Sequence, residues 1–232
     1  MDLLWQGIKE AIRLLLGGDP EVFAIVLLSL RVSLIATVTS LILGVPAGMA
    51  LALSRFGGRR FLISLVNVGM GIPPVVVGLM VAILLWRSGP LGFLGIMYSP
   101  LAIIIAQTLI ALPIVTGLTL AAVQQLNPKV RLQILALGAS RWQMLWILAR
   151  EARLSILAAA MAGFGGVISE VGASMMVGGN ILGQTRVLTT ATVLETSKGN
   201  FDVALALSTI LFALAYTITL ALTVVQQREK AP

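Results

Sequence analysis

The chain contains neither cysteine nor histidine, and only 11% of its 232 residues are charged. Without thiols there are no disulfides, no thiolate nucleophile and no thiolate metal ligand. Without imidazoles there is no Ser–His or Cys–His pair, and the commonest metal ligand is missing. No catalytic residue and no metal ligand is therefore assigned. Acidic residues are also few, 9 against 16 lysines and arginines.

Apolar surface is what the chain has in quantity: 58% hydrophobic residues and a mean hydropathy of +1.02. A soluble domain of this size cannot hide that much. Apolar runs of about 18 residues or more recur, so the fold class is an all-α integral membrane protein in a lipid bilayer. The surplus of cations then reads as membrane topology, with no nucleic-acid partner. The N-terminus lacks a basic segment followed by an apolar core and a cleavage site, so no removable signal peptide is expected.

Residues 1–20 predict an interfacial amphipathic helix. Leu4, Ile8, Ala11 and Leu15 form one stripe, with Gln6, Lys9, Glu10 and Arg13 mostly off it. Gly17-Gly18-Asp19-Pro20 ends it. A transmembrane domain over 22–226 follows, with five spans at about 22–54, 61–86, 100–123, 154–177 and 201–225. In the first span Pro46 should kink the helix, and Gly44 and Gly48 permit close approach of a neighbour. The second is broken by Gly69, Gly71 and Pro73-Pro74. Losing two backbone donors there is tolerated only where protein or a water-filled cavity satisfies the freed carbonyls. A pathway-lining kink and a purely structural one both fit. The third span carries Pro113 and the fourth Gly163, Gly165, Gly166 and Gly172, while 178–200 reads as a long outer loop.

The cations divide unequally. Arg55, Arg59, Arg60, Lys129, Arg131, Arg141, Arg150, Arg153, Arg228 and Lys230 fall on one side of the spans. Lys9, Arg13, Arg87, Arg186 and Lys198 fall on the other. The richer side is expected to face the cytoplasm, which puts the N-terminus outside and the C-terminus inside a cell membrane. No internal repeat is visible, which argues against an inverted-repeat carrier.

Two charges remain inside spans, Arg31 and Glu170. Ionisable groups at membrane depth are paired or functional, and the matched depths of these two predict an interhelical ion pair. Gly178-Gly179-Asn180-Ile181-Leu182-Gly183-Gln184-Thr185 nearly fits a phosphate-binding loop. Gln184 stands where the lysine belongs and no strand precedes it, so nucleotide binding by this chain is rejected. A glycine-rich backbone at that point leaves N–H groups that an anion can use, and a re-entrant structural turn fits the segment equally.

The most telling segment is Leu126–Glu151, LNPKVRLQILALGASRWQMLWILARE. It is basic, and Gly138-Ala139-Ser140 separates an apolar helical stretch from a second helix start. Ile134, Leu135 and Leu137 need a partner to cover them. That pattern points to a cytoplasmic docking element, with an ordinary loop helix lying on the bilayer as the alternative.

With these residues in view, the chain resembles the permease subunits of ABC importers with type I membrane architecture, over about residues 25–225. Gly138-Ala139-Ser140-Arg141-Trp142 stands as in their coupling loop, although Leu132-Gln133-Ile134 replaces Glu-Ala-Ala. Within that family the likeness is to the molybdate/tungstate/sulfate oxyanion branch, and most to the tungstate permeases. Pro73-Pro74-Val75-Val76-Val77-Gly78, Glu170-Val171-Gly172-Ala173-Ser174, Gly179-Asn180-Ile181 and Gly183-Gln184-Thr185-Arg186 carry it. The resemblance implies a permease homodimer enclosing the anion path, two cytoplasmic ABC ATPases and an extracytoplasmic oxyanion-binding protein. It implies coupling through Leu135, Gly138, Ala139, Ser140 and Arg141. Pro73, Pro74, Ser169, Glu170, Ser174 and Asn180 would lie along the path or its gate. The chain itself would hold no cofactor, with ATP and Mg bound by the partner ATPase. Molybdate or sulfate permeases are the alternatives within the family. A non-transporting membrane scaffold, a proton- or ion-coupled carrier and an intramembrane hydrolase are the alternatives outside it.

Overall fold

Asp19 starts the longest apolar helix. Its carboxylate accepts from the N–H groups of Glu21 and Val22 at 2.9 and 3.2 Å, and Pro20 occupies the first turn, where its missing donor costs nothing. The structure, a computed structural model, describes residues 2–228. Lys230 and the rest of the tail lie outside the described residues, as do the side chains of Leu4, Gln6, Ile8, Leu15 and Arg228.

The described residues form eleven α-helices and one 3₁₀ turn at Gly92–Leu94. The membrane-length helices are α2 (Pro20–Leu53), α5 (Pro100–Gln124) and α11 (Phe201–Arg228). Two bent pairs bring the candidate spans to as many as five: α3 (Arg59–Gly71) turns 104° into α4 (Pro74–Leu85), and α8 (Arg153–Ile168) follows α7 (Arg141–Glu151) at a bend of 70°. The shorter helices are α1 (Asp2–Leu16), α6 (Pro128–Ala136), α9 (Gly172–Gly178) and α10 (Leu188–Ser197).

Helices α2 and α5 form the most extensive contact. Gly44 and Gly48 permit it: a Cβ at Gly48 would lie 2.6 Å from the Thr116 carbonyl oxygen, and one at Gly44 2.9 Å from Val115. Small residues at the seam let the backbones close up where lipid supplies no hydrophobic drive. Ser29, Thr37 and Ser40 turn their hydroxyls back onto carbonyls of their own helix, and Ser40 also donates to Thr108 O at 3.1 Å. Both α2 and α5 run unbroken through Pro46 and Pro113.

Three expectations need correction. The fourth span is not one helix to residue 177, because it breaks at Ser169–Val171 and resumes as α9. Residues 178–200 are not simply a loop: the 10 residues of α10 lie within them, with Leu188, Thr189, Thr190 and Ala191 buried against α11 and α2. Its run of threonines has poor helix propensity, and tertiary packing overrides it. Helix α1 is not merely laid on an interface. Gly7 abuts Leu205 of α11, and Ala11 is buried among Val22, Ala206 and Leu207, while Trp5, Lys9, Ile12 and Arg13 stay exposed.

Candidate functional site: two helix breaks and a docking hairpin

Pro73 and Pro74 end α3 and open α4, so the freed carbonyls sit at a sharp corner rather than inside a helix. The second break, at Ser169–Val171, contains no proline. It is held open by side chains. Glu170 Oε1 accepts from Ala173 N–H at 2.8 Å, capping the first turn of α9. Thr189 donates to Glu170 O at 2.9 Å, Gln107 Nε2 donates to Val167 O at 3.2 Å, and Ser169 donates to Gly165 O at 2.8 Å. A non-helical backbone at membrane depth needs this kind of internal satisfaction.

The two breaks meet. A Cβ on Gly78 would stand 2.5 Å from Ala173 Cα, and Gly172 presses on Val75. Helices α4 and α9 are thereby packed backbone to backbone. Of the sequence-chosen path residues, Pro74, Glu170 and Ser174 are gathered around this junction. Ser174 is buried beside Gln107, 3.5 Å from its Nε2, whereas Pro73 and Ser169 face outward. Gln107 was not singled out from the sequence; a lone amide in an apolar span was the available signal. Its Oε1 is buried and unpartnered.

Arg31 and Glu170 are not brought together. Arg31 is exposed on α2, and among the described residues no ion pair joins it to a carboxylate. Depth matching along two helices says nothing about which way the side chains face, and that is why the expectation failed. At about 1.5 Å per residue α2 is about 51 Å long against a ~30 Å hydrocarbon core. Arg31 can thus reach an interface along its own stem.

Asn180 sits at the far end of α9 with a left-handed φ of 52°, next to Gly179 at 72°. Its Nδ2 donates to Thr190 O at 3.4 Å. Tyr98, the other left-handed non-glycine residue, lays its ring over Gly179 and donates its N–H to Val177 O. The following turn is closed on itself. Ile181 N–H donates to Thr185 Oγ1, and the N–H groups of Gln184, Thr185 and Arg186 all converge on Ile181 O. These four donors are therefore engaged and not free for an anion, so of the two readings of this segment the geometry fits the structural turn. Arg186 fastens the turn to α2 through Glu21 at 3.4 Å. Nearby, hydrogen bonds from Lys198 and then Asn200 hold the Glu195 carboxyl below its ordinary range.

The Leu126–Glu151 segment is a helical hairpin. Gly138, at φ 78°, follows the end of α6; its N–H donates to Leu135 O at 3.0 Å and that of Ala139 to Ile134 O at 3.3 Å. This is a Schellman closure, which requires the left-handed residue that glycine supplies. Ser140 then opens α7 with a capping box, accepting from Gln143 N–H while Gln143 Oε1 accepts from Ser140 N–H. Arg141, the first residue of α7, is exposed. Ile134 needs no outside partner, since it is buried with Met49, Met144 and Leu148. Leu137, Trp142 and Trp146 are the residues left bare, at 87%, 81% and 72% exposure. A recess of about 420 Å³ opens between Leu137, Gly138, Gln143 and Trp146. Leu135 is half-exposed beside it.

Residues 44–229 match the family of binding-protein-dependent transport system inner membrane components. The chain belongs to this family. A tungstate uptake system permease protein, TupB, of Peptoclostridium acidaminophilum is 37% identical over 94% of this chain and 96% of its own length. A probable anion ABC transporter permease of Haloferax volcanii is 41% identical over 82% of this chain and 84% of its own. The molybdenum transport permease ModB of Escherichia coli is 30% identical over 80% and 85%. Among solved structures, a chain of the MetNI methionine ABC transporter superposes with a TM-score of 0.75 at 19% identity, covering 90% of this chain and 98% of that one. That likeness establishes the type I permease fold. In a permease of this family, the broken spans and the exposed hairpin are the two features that call for a role.

Proposed function

We propose that this chain is the membrane subunit of an ATP-driven tungstate importer. The observation that carries the reading is 37% identity to a tungstate uptake permease across 94% of the chain. The arginine-rich end, with the hairpin around Gly138, faces the cytoplasm and receives two ABC ATPases through Leu135, Leu137, Trp142 and Trp146. Two copies of the chain enclose the path, and an external binding protein delivers the oxyanion. ATP and Mg reside on the ATPases, and this chain has no nucleotide site of its own.

The cargo is a tetrahedral dianion, and a fixed deep cation would hold it too tightly to release. Small and neutral polar groups around Pro73-Pro74 and Ser169–Met176 suit passage better. Movement of the ATPases would reach the α4–α9 junction through α7 and α8 and open the path to alternate sides. Selectivity between tungstate and molybdate, which have the same charge and shape, rests largely with the delivering protein. Cells with and without this chain, compared for metal content after exposure to tungstate, molybdate and sulfate, test the reading. Loss of tungstate accumulation is expected on deletion, with a smaller effect on molybdate. Unchanged tungstate content would overturn it.

A further inference from the structure

One cavity lies away from both helix breaks. About 600 Å³ opens between α2, α3 and α5 near the arginine-rich end, lined by Leu43, Ala47, Phe56, Leu62, Leu65 and Pro113 among others. That volume is within the range of about 300–1,000 Å³ typical of ligand sites. Its walls are apolar, and Leu43 and Leu65 are more than half exposed. From Leu43 to Ser54 it follows α2 for about 16 Å, close to one leaflet of a ~30 Å core.

The mouth is cationic. Ser54 and Phe56, both lining residues, flank Arg55, and Arg59 and Arg60 open α3 beside them. Arg59 is pinned there, its Nε donating to Leu51 O at 2.7 Å. Arg131 reaches the same rim through Leu53 O at 3.3 Å. Among the described residues no ion pair joins Arg55, Arg59 or Arg60 to a carboxylate. No side chain caps the α3 N-terminus either, so its dipole adds to the positive field.

We propose that this groove is a binding site for an anionic phospholipid, one acyl chain against Ala47, Leu62 and Leu65 and the phosphate at Arg55, Arg59 and Arg60. An apolar slot of leaflet depth beneath a cluster of arginines matches both ends of such a lipid. The site is independent of which oxyanion is carried.

Native mass spectrometry of the purified full-length permease in micelles containing equal phosphatidylglycerol and phosphatidylcholine tests it. Wild type should retain phosphatidylglycerol preferentially, by about fivefold for each arginine engaged. Arg59→Gln with Arg60→Gln should remove the preference, and Ala47→Trp or the milder Ala47→Leu should reduce total retention. Lys198→Gln, at the opposite end, should change neither. Equal retention of the two lipids by wild type would overturn the site. So would loss of preference in the arginine variant with full retention in both Ala47 variants, since surface charge alone would then explain it. Dissociation of a dimer by the Ala47 variants at constant lipid retention would assign the groove to a second copy instead.

Discussion

At the scale of single residues, Glu170 changes meaning between sequence and structure. A lone acid in an apolar span invites an ion pair, and Arg31 is the only cation at comparable depth. The geometry makes Glu170 a cap: Oε1 takes the Ala173 N–H, and its carbonyl takes the Thr189 hydroxyl. Glu170→Leu should therefore cost about 1 kcal/mol, the usual loss of a helix cap. Glu170→Gln, which keeps an acceptor at the same place, should cost less. Adding Arg31→Met to Glu170→Gln should give losses that simply add, because the two groups share no contact. Thermal unfolding of the purified variants measures this, and recovery of stability in the double variant would restore the ion pair. The left-handed Gly138, by contrast, was legible, because a glycine between an apolar stretch and a serine is how one helix closes and another opens.

At the scale of elements, the apolar runs stand in the structure as three membrane-length helices and two bent pairs, and breaks could be read from proline only where proline occurs. The Pro73-Pro74 corner was visible for that reason. The Ser169–Val171 break was not, since Gln107 and Thr189, distant in sequence, help to satisfy it. Helix α10 was missed because its threonines and valine argue locally against a helix. The helical hairpin was legible, and of its expected bare residues Leu135 and Leu137 are exposed. Ile134 turns inward instead, and Trp142 and Trp146 of α7 join Leu137 as the barest residues. Gly138→Val forces a β-branched residue into the left-handed region, at about 1–2 kcal/mol. It should lower co-purification of the ATPase several-fold while the chain still inserts in the membrane. Undiminished ATPase retention by that variant would count against the hairpin as the docking element.

At the scale of the whole molecule, the structure separates two ends. One carries the α2–α3 turn and the α6–α7 hairpin with Arg55, Arg59, Arg60, Lys129, Arg131 and Arg141. The other carries the 87–99 and 179–187 connections, joined where Tyr98 covers Gly179. The positive-inside rule predicts that the first faces the cytoplasm. Because the chain has no cysteine, Ala139→Cys and Gln184→Cys give clean reporters in intact cells. An impermeant thiol reagent applied outside should label residue 184 and spare residue 139, and the reverse pattern would invert the topology. The cargo is where sequence physics stops, since two tetrahedral dianions of like charge ask the same of a neutral path. The central claim, ATP-driven passage of tungstate, is tested most directly by reconstituting the permease with its ATPase and binding protein in liposomes. Tungstate should accumulate inside only when ATP is supplied, with molybdate second. ATP-dependent accumulation of an amino acid or a sugar, with no oxyanion uptake, would contradict the account.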